Sequence, residues 1–85
     1  EARETVPVIR SLRDSAERMR RHEIEPALKL LARGEAPEKV VEQLSQRLVN
    51  KFLHAPTQTL NFAEGADRAD LQALTERLFH LHSGE

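Results

Sequence analysis

The chain has 85 residues, of which 39% are hydrophobic and 32% charged, with 13 lysines and arginines against 14 acidic residues. This length fits one domain, and the near-zero net charge provides no general attraction to nucleic acid or to an anionic membrane. The absence of cysteine excludes disulfides, thiolate metal sites and thiol nucleophiles.

The composition predicts an all-α fold, because glycine and proline are few and β-branched residues are scarce, and tyrosine and tryptophan are absent. We expect a helical bundle built from a long first helix, a second long helix, a short third segment and a C-terminal helix. Residues 1–85 are interpreted as one helical domain. Since the chain opens with Glu1 and not with methionine, we expect it to be a piece of a longer protein.

The first helix is predicted to begin at Thr5, whose hydroxyl can cap it, with Pro7 in the opening turn. Its apolar residues recur at alternating steps of three and four, which is the spacing of a helix that packs along another helix. We call this set the first-helix seam, and its members are Ile9, Leu12, Ala16 and Met19.

Farther along, the apolar pattern resumes in a stripe rotated by roughly 90° from the first-helix seam. The members of this stripe are Ile24, Ala27, Leu28 and Leu31. Glu23 stands where the first-helix seam would continue, and Pro26 leaves the His22 carbonyl without its helical donor. We therefore expect one long helix that is kinked or broken near residues 22–26, with halves that face different neighbours, and that ends at Gly34 in a left-handed cap.

The second helix is predicted over about residues 37–54, with Pro37 at its start. It carries one broad apolar stripe. The members of that stripe are Val40, Val41, Leu44, Leu48 and Phe52. Because Val49 and Leu53 lie beside the stripe, the last two turns are apolar on nearly two sides, and we expect that end to be buried between neighbours.

Pro56 disfavours helical geometry at the preceding residue, so the second helix is predicted to stop at His54 or Ala55. Thr57 then caps a short third segment that ends at Gly65. The apolar residues of this segment are Leu60, Phe62 and Ala63.

The last helix is predicted over about residues 68–81, with Asp67 and Asp70 in a capping arrangement. Its leucines again follow steps of three and four. We call them the last-helix seam, and they are Leu71, Leu74, Leu78 and Leu81.

Three histidines were considered as chemical groups. His54 has the residue type of a general acid/base or metal ligand, but a histidine at a helix end is also favoured by the helix dipole, and we prefer this second interpretation. His80 and His82 form the only close histidine pair, whereas helical metal ligands prefer a spacing of four. With no glycine-rich nucleotide loop either, we predict no catalytic, cofactor-binding or metal-binding residue.

The run RMRRHE at residues 18–23 raises the question of nucleic-acid binding, since clustered arginines bind phosphate. The candidates are Arg13, Arg18, Arg20 and Arg21. Acidic residues interleave with them, so we favour a solvated helix face with ion pairs at a spacing of four. The expected pairs are Asp14–Arg18 and Glu17–Arg21.

No apolar run approaches the roughly 20 residues of a membrane span, and the first residues lack the features of a signal peptide. We therefore expect no membrane partner and a cytoplasmic location.

Two stretches carry a family resemblance. PVIRSLR at residues 7–13 and RLVNKFLHAPT at residues 47–57 resemble glutamyl-tRNA reductase, and the resemblance covers nearly the whole chain. Its specific core is Asn50, Lys51, Leu53, His54, Ala55, Pro56 and Thr57. The sequence is similar only to the C-terminal helical part of that enzyme.

The resemblance implies a longer parent enzyme with a catalytic-cysteine domain, an NADPH-binding domain and a C-terminal dimerisation domain. Such an oxidoreductase reduces glutamyl-tRNA to glutamate-1-semialdehyde at the start of tetrapyrrole (porphyrin) synthesis. It implies a homodimer, contact with tRNA through the parent enzyme, and no cofactor in this fragment. The candidate dimer-interface residues are the first-helix seam together with Leu44, Leu48 and Phe52.

Two positions depart from the family pattern. Pro26 lies where the first helix of the family tends to run uninterrupted, and Leu60 precedes Asn61 where the family often has Leu-Arg. Two alternatives remain open from the residues, namely a stand-alone helical adaptor and a helical module that contacts tRNA.

Overall fold

The described part of the chain folds into three helices. A computed structural model describes the backbone of residues 2–82 and the side chains of residues 5–82. In chain order the helices are α1 (Ala2–Ala32), α2 (Pro37–Phe62) and α3 (Gly65–Phe79), and the described residues include no strand. The prediction of an all-α fold is confirmed. The chain divides into two compact units, Glu1–Leu53 and His54–Glu85, and the division falls inside α2.

The helix α1 begins earlier than expected and runs without a break. It starts at Ala2, so the prediction that Thr5 caps it is wrong. The residues before Thr5 are alanine, arginine and glutamate, which are strong helix formers and extend the helix backwards. Pro26 lies inside α1, and the break expected near residues 22–26 is absent. Proline removes one hydrogen bond of the helix, and the flanking turns keep theirs.

The turn between α1 and α2 follows the prediction. Gly34 has a positive φ of 93°, and the Glu35 N–H donates to the Leu30 carbonyl over 3.1 Å, as in a Schellman cap. Pro37 is the first residue of α2, where its missing N–H leaves no helical bond unmade.

The helix α2 continues where the sequence predicts a stop. It passes through Pro56 and ends at Phe62, so the predicted end at His54 or Ala55 and the separate third segment capped by Thr57 are both wrong. The bias that proline imposes on the preceding residue is a preference that tertiary packing can override. Pro56 and Leu60 are half-buried, which indicates that packing supports this part of the helix.

The helix α3 is shifted towards the N-terminus by about one turn at its start. It begins at Gly65, whose φ is 60°, and Glu64 precedes it without a side-chain cap. Asp67 therefore lies in the first turn, where it is favoured by the helix dipole, and the predicted capping role is wrong. The helix ends at Phe79 because His80 adopts the left-handed conformation, which places Leu81 beyond the helix.

In the first unit, the core lies where the second half of α1 packs against the first half of α2. The buried residues in the described part of the chain are Glu23, Ala27 and Val40. The half-buried residues around them include Met19, Leu30, Leu44 and Leu48.

In the second unit, burial is shallower. Among its described residues none is fully buried, and the half-buried apolar ones lie on both of its helical segments and directly after the first of them. They are Pro56, Leu60, Ala63 and Leu71. The Arg68 guanidinium donates to the Ala63 carbonyl over 3.1 Å and thereby supplies a partner for a carbonyl at the end of α2.

Candidate functional site

The first-helix seam is an uncovered apolar surface. Leu12 is 64% exposed, Ile9 and Ala16 are also exposed, and Met19 is half-buried. Two valines extend the exposed apolar surface, Val6 and Val8. Apolar side chains spaced along one face of a helix and left in water indicate a surface that another helix covers.

The buried face of α1 continues the first-helix seam. After Met19 come Glu23, Ala27 and Leu30, at steps of four, four and three, and these face α2. The expectation that the second half of α1 packs through a face rotated by about 90° is therefore wrong for Leu28 and Leu31, which are exposed, whereas Ala27 is buried and Ile24 half-buried. Leu28, which belongs to that rotated stripe, is 57% exposed. One face of α1 thus packs on α2 at one end and is uncovered at the other.

Glu23 is a buried carboxylate held by two cations of α2. It is 3% exposed, and its Oε1 accepts from Arg47 Nε over 2.8 Å while its Oε2 lies 3.4 Å from Lys51 Nζ. Arg47 and Lys51 are four residues apart and so share one face of α2. The hydrogen bond from Arg47, together with that from Lys51 and the charges of both, lowers the pKa of Glu23, against the opposing effect of burial.

The sequence interpretation missed this cluster. It treated Glu23 as an interruption of an apolar stripe and as part of a solvated face. The signal that could have found it is an acidic residue at a seam position together with a basic pair, four residues apart, on the next helix. Lys51 also belongs to the residues that carry the family resemblance, so one of them has a structural role here.

The arginine-rich face of α1 is partly neutralised. Glu17 accepts hydrogen bonds from Arg20 at 3.0 and 2.6 Å and from Arg21 at 3.0 Å, which confirms the predicted Glu17–Arg21 pair. These bonds lower the pKa of Glu17 to about 2. No ion pair joins Asp14 and Arg18 within the described residues. Two of the four candidate nucleic-acid contacts are therefore engaged by a carboxylate.

The three α2 candidates for the dimer interface have different surroundings. Leu44 and Leu48 are half-buried, and Leu44 lines a cavity of about 100 Å³ between α1 and α2. Phe52 is 44% exposed. Contact with a second copy through these residues stays a prediction.

The motif residues 47–57 lie in the middle of α2 and not at a helix end. His54 is exposed there, so the dipole interpretation of this histidine, which required a helix terminus, is wrong. Val49 and Leu53 are exposed too, so the described residues bury neither of these side chains, which the sequence predicts to lie between neighbours.

The described residues offer no constellation for a metal ion. They include no group of three or more potential metal ligands, and none of their helices is long and apolar enough to cross a membrane.

Comparison with known proteins gives a consistent result. The family model described as glutamyl-tRNAGlu reductase, dimerisation domain, matches residues 1–81. A glutamyl-tRNA reductase of Nitrosomonas europaea is 56% identical over 80 residues, which are 94% of this chain and 19% of that protein. That of Thiobacillus denitrificans is 55% identical over 82 residues, covering 96% of this chain and 20% of that protein.

A third relative, the glutamyl-tRNA reductase of Aromatoleum aromaticum, is 49% identical over 81 residues. The chain spans about a fifth of the length of the curated relatives that it matches. No solved structure matches it.

Proposed function

Because this chain belongs to the family of glutamyl-tRNA reductase dimerisation domains, we propose that it joins two copies of such an enzyme through the first-helix seam. The observation that carries the proposal is the exposure of Ile9, Leu12 and Ala16 on the same face of α1 that is buried against α2 farther along. The two copies are expected to associate isologously, each presenting the same surface to the other. Membership of the family argues against a helical adaptor unrelated to it.

The exposed apolar side chains support the need for a second copy. Fifteen large hydrophobic residues of the described chain are exposed. Obligate homodimers bury apolar surface of this kind. The large exposed side chains of the first-helix seam are the kind of surface that such an interface uses.

The activity of the whole protein belongs to the same proposal. The matched relatives are named glutamyl-tRNA reductase, which supports an oxidoreductase that acts on glutamyl-tRNA. NADPH as reductant, a place in tetrapyrrole synthesis and a cytoplasmic location are expectations that we carry over from the family resemblance. Contact of Arg13, Arg18, Arg20 and Arg21 with tRNA stays a prediction, which the engagement of Arg20 and Arg21 by Glu17 weakens.

The test replaces one seam residue by a charged one. Leu12→Glu would place an unpaired carboxylate in each half of the dimer contact, at a cost of about 3 kcal/mol or more. The dissociation constant is therefore expected to rise by about 100-fold or more. Sedimentation equilibrium over a range of concentrations measures the change, and circular dichroism verifies that the helices are retained.

The matched control is Leu28→Glu. Leu28 lies on the same helix, is similarly exposed and points about 160° away from Leu12. We expect this variant to dimerise like the unmodified chain. A folded, monomeric unmodified chain at high micromolar concentration would overturn the proposal, and so would equal weakening by the two substitutions.

A further inference from the structure

A second uncovered apolar surface lies on α2, within the segment that carries the family motif. We call it the back of α2 and define it as Val49, Phe52 and Leu53. Val49 is 55% exposed and Leu53 is 47% exposed, and Phe52 is exposed as well. Because residues three and four apart are neighbours on a helix, the three side chains form one patch. Large apolar side chains grouped in this way indicate a surface that a partner covers.

The Glu23 cluster keeps the back of α2 turned away from α1. Val49 lies two residues from Arg47 and two from Lys51, which corresponds to about 160° around the helix. Both cations hold the buried Glu23 of α1, so Val49 points away from α1. A half-turn of α2 that buried Val49 against α1 would leave a buried carboxylate without its two cations, which is strongly unfavourable. The helix α1 of the same chain therefore does not cover this patch.

The back of α2 and the first-helix seam face the same direction. The helix α2 packs on the face of α1 that continues the seam, through Glu23, Ala27 and Leu30. The side of α2 opposite its back is turned towards that face, so the back is turned outward on the side to which the uncovered seam also points. A partner that approaches the seam from this side reaches both surfaces. Leu28, about 160° from Leu12 on α1, points away from such a partner.

We propose that the second copy which covers the first-helix seam also packs on the back of α2. This assignment rests on the proposed function, because it adds a surface to the proposed dimer contact. A second copy is the occupant that the observations favour, since the family to which the chain belongs is described as a dimerisation domain and the patch faces the same way as the seam. The helix α2 then lies between α1 of its own chain and the second copy, as its two apolar sides predict.

The first test places a charge in the patch. Val49→Glu puts an unpaired carboxylate into each half of a twofold contact, so we expect the dissociation constant to rise about tenfold or more. The matched control is Asn50→Glu, which adds the same charge at an exposed position about 100° farther around the helix. We expect the control to dimerise like the unmodified chain. Sedimentation equilibrium measures the association, and circular dichroism verifies that both variants keep their helices.

The second test follows the patch without adding a charge. Because the chain has no cysteine, Val49→Cys introduces a single thiol. Its rate of reaction with a small maleimide is expected to fall about tenfold or more as the concentration rises from well below to well above the dissociation constant, since the dimer covers the side chain. In the control, Asn50→Cys, we expect the rate to change by less than about twofold, because this position stays exposed.

The failure of the proposed function and the failure of this inference are distinguishable. If Leu12→Glu leaves the dimer intact, the proposed function fails. If Leu12→Glu dissociates the dimer but Val49→Glu associates like the unmodified chain, the back of α2 has another occupant, such as the remainder of the parent enzyme, and this inference is overturned. A thiol at position 49 that reacts at the same rate in the monomer and in the dimer overturns it too.

Discussion

At the scale of single residues, Glu23 is the side chain on which the packing of α1 against α2 depends most. A carboxylate at a buried position costs free energy unless each oxygen has a partner, and here each oxygen has a cation of α2. A slide of α2 by one residue would turn Arg47 and Lys51 away and leave Glu23 buried without them. The cluster therefore specifies the register of the two helices more than it adds stability.

Glu17 provides the contrast. Its pKa is lowered to about 2, but its side chain is exposed on α1. Exposed pairs contribute little to stability because water and salt screen them and because ordering the side chains costs entropy. A strongly lowered pKa at the surface thus has a smaller consequence for folding than the buried cluster of Glu23.

The first residue-scale prediction concerns pH. A lowered pKa in the folded state means that Glu23 stabilises the fold fully above its ordinary value of 4.5, and that this stabilisation is lost as the pH falls through the folded-state pKa. We expect Glu23→Gln to lower the melting temperature at pH 7, and the difference from the unmodified chain to shrink as the pH falls below 4.5. Thermal unfolding followed by circular dichroism at a series of pH values measures this difference.

Glu17→Gln is the matched control for that series. It removes a carboxylate with two arginine partners on the surface of α1, so we expect a smaller decrease in melting temperature at pH 7. A larger decrease for Glu17→Gln than for Glu23→Gln would contradict the role assigned to the buried cluster.

At the scale of elements, two helices contain interior prolines. Pro26 lies in α1 and Pro56 in α2, and each removes one backbone hydrogen bond from its helix. Both helices continue because the remaining turns keep their bonds and carry apolar faces that pack. Tertiary packing, and not propensity, supplies most of the stability of a helix in a protein.

Pro56→Ala distinguishes a helix that passes through this position from one that stops before it. Within a continuous α2, alanine restores the N–H and relieves the clash of the ring, so we expect a gain of about 1–2 kcal/mol after the loss of the half-buried ring. If α2 stopped before Pro56, the same substitution would instead lower stability by about 0.4–1 kcal/mol, because alanine gives the unfolded chain more conformational freedom than proline does. Urea denaturation at constant protein concentration measures the sign.

Pro37→Ala is the control for that substitution. Pro37 is the first residue of α2, where an N–H has no helical acceptor, so we expect a change within about 0.5 kcal/mol. A loss of stability in Pro56→Ala would contradict the continuous helix.

At the scale of the whole molecule, the buried apolar core of the described residues is limited to Ala27 and Val40. Fifteen large hydrophobic residues of the described chain are exposed instead. A chain with so little core is marginally stable alone, so association should supply much of the folding free energy.

The melting temperature should therefore depend on protein concentration. We expect it to rise between about 1 and 100 µM, because a dimer that unfolds to two chains is favoured by mass action. Leu12→Glu should remove this dependence and melt at a lower temperature. A melting temperature of the unmodified chain that is independent of concentration would show that its stability does not come from association.

The sequence by itself determined the features that depend on neighbours within a few residues. The helical class, the cap at Gly34, the start of α2 at Pro37, the Glu17–Arg21 pair and the apolar seams all follow from spacing and from local geometry. The sequence also indicated the family, through the motif at residues 47–57, and the family model matches residues 1–81.

Only the tertiary structure decided whether a local preference prevailed. The stop predicted at Pro56 gave way to a continuous helix, and Glu23, expected on a solvated face, lies buried between α1 and α2. In both cases the interactions that decide the outcome are made by residues far away in the sequence, which a pattern of a few neighbouring residues does not include. A local preference of a residue for or against the helix, worth about one or two kcal/mol, is reversed when the packing of side chains that folding brings together contributes a comparable free energy.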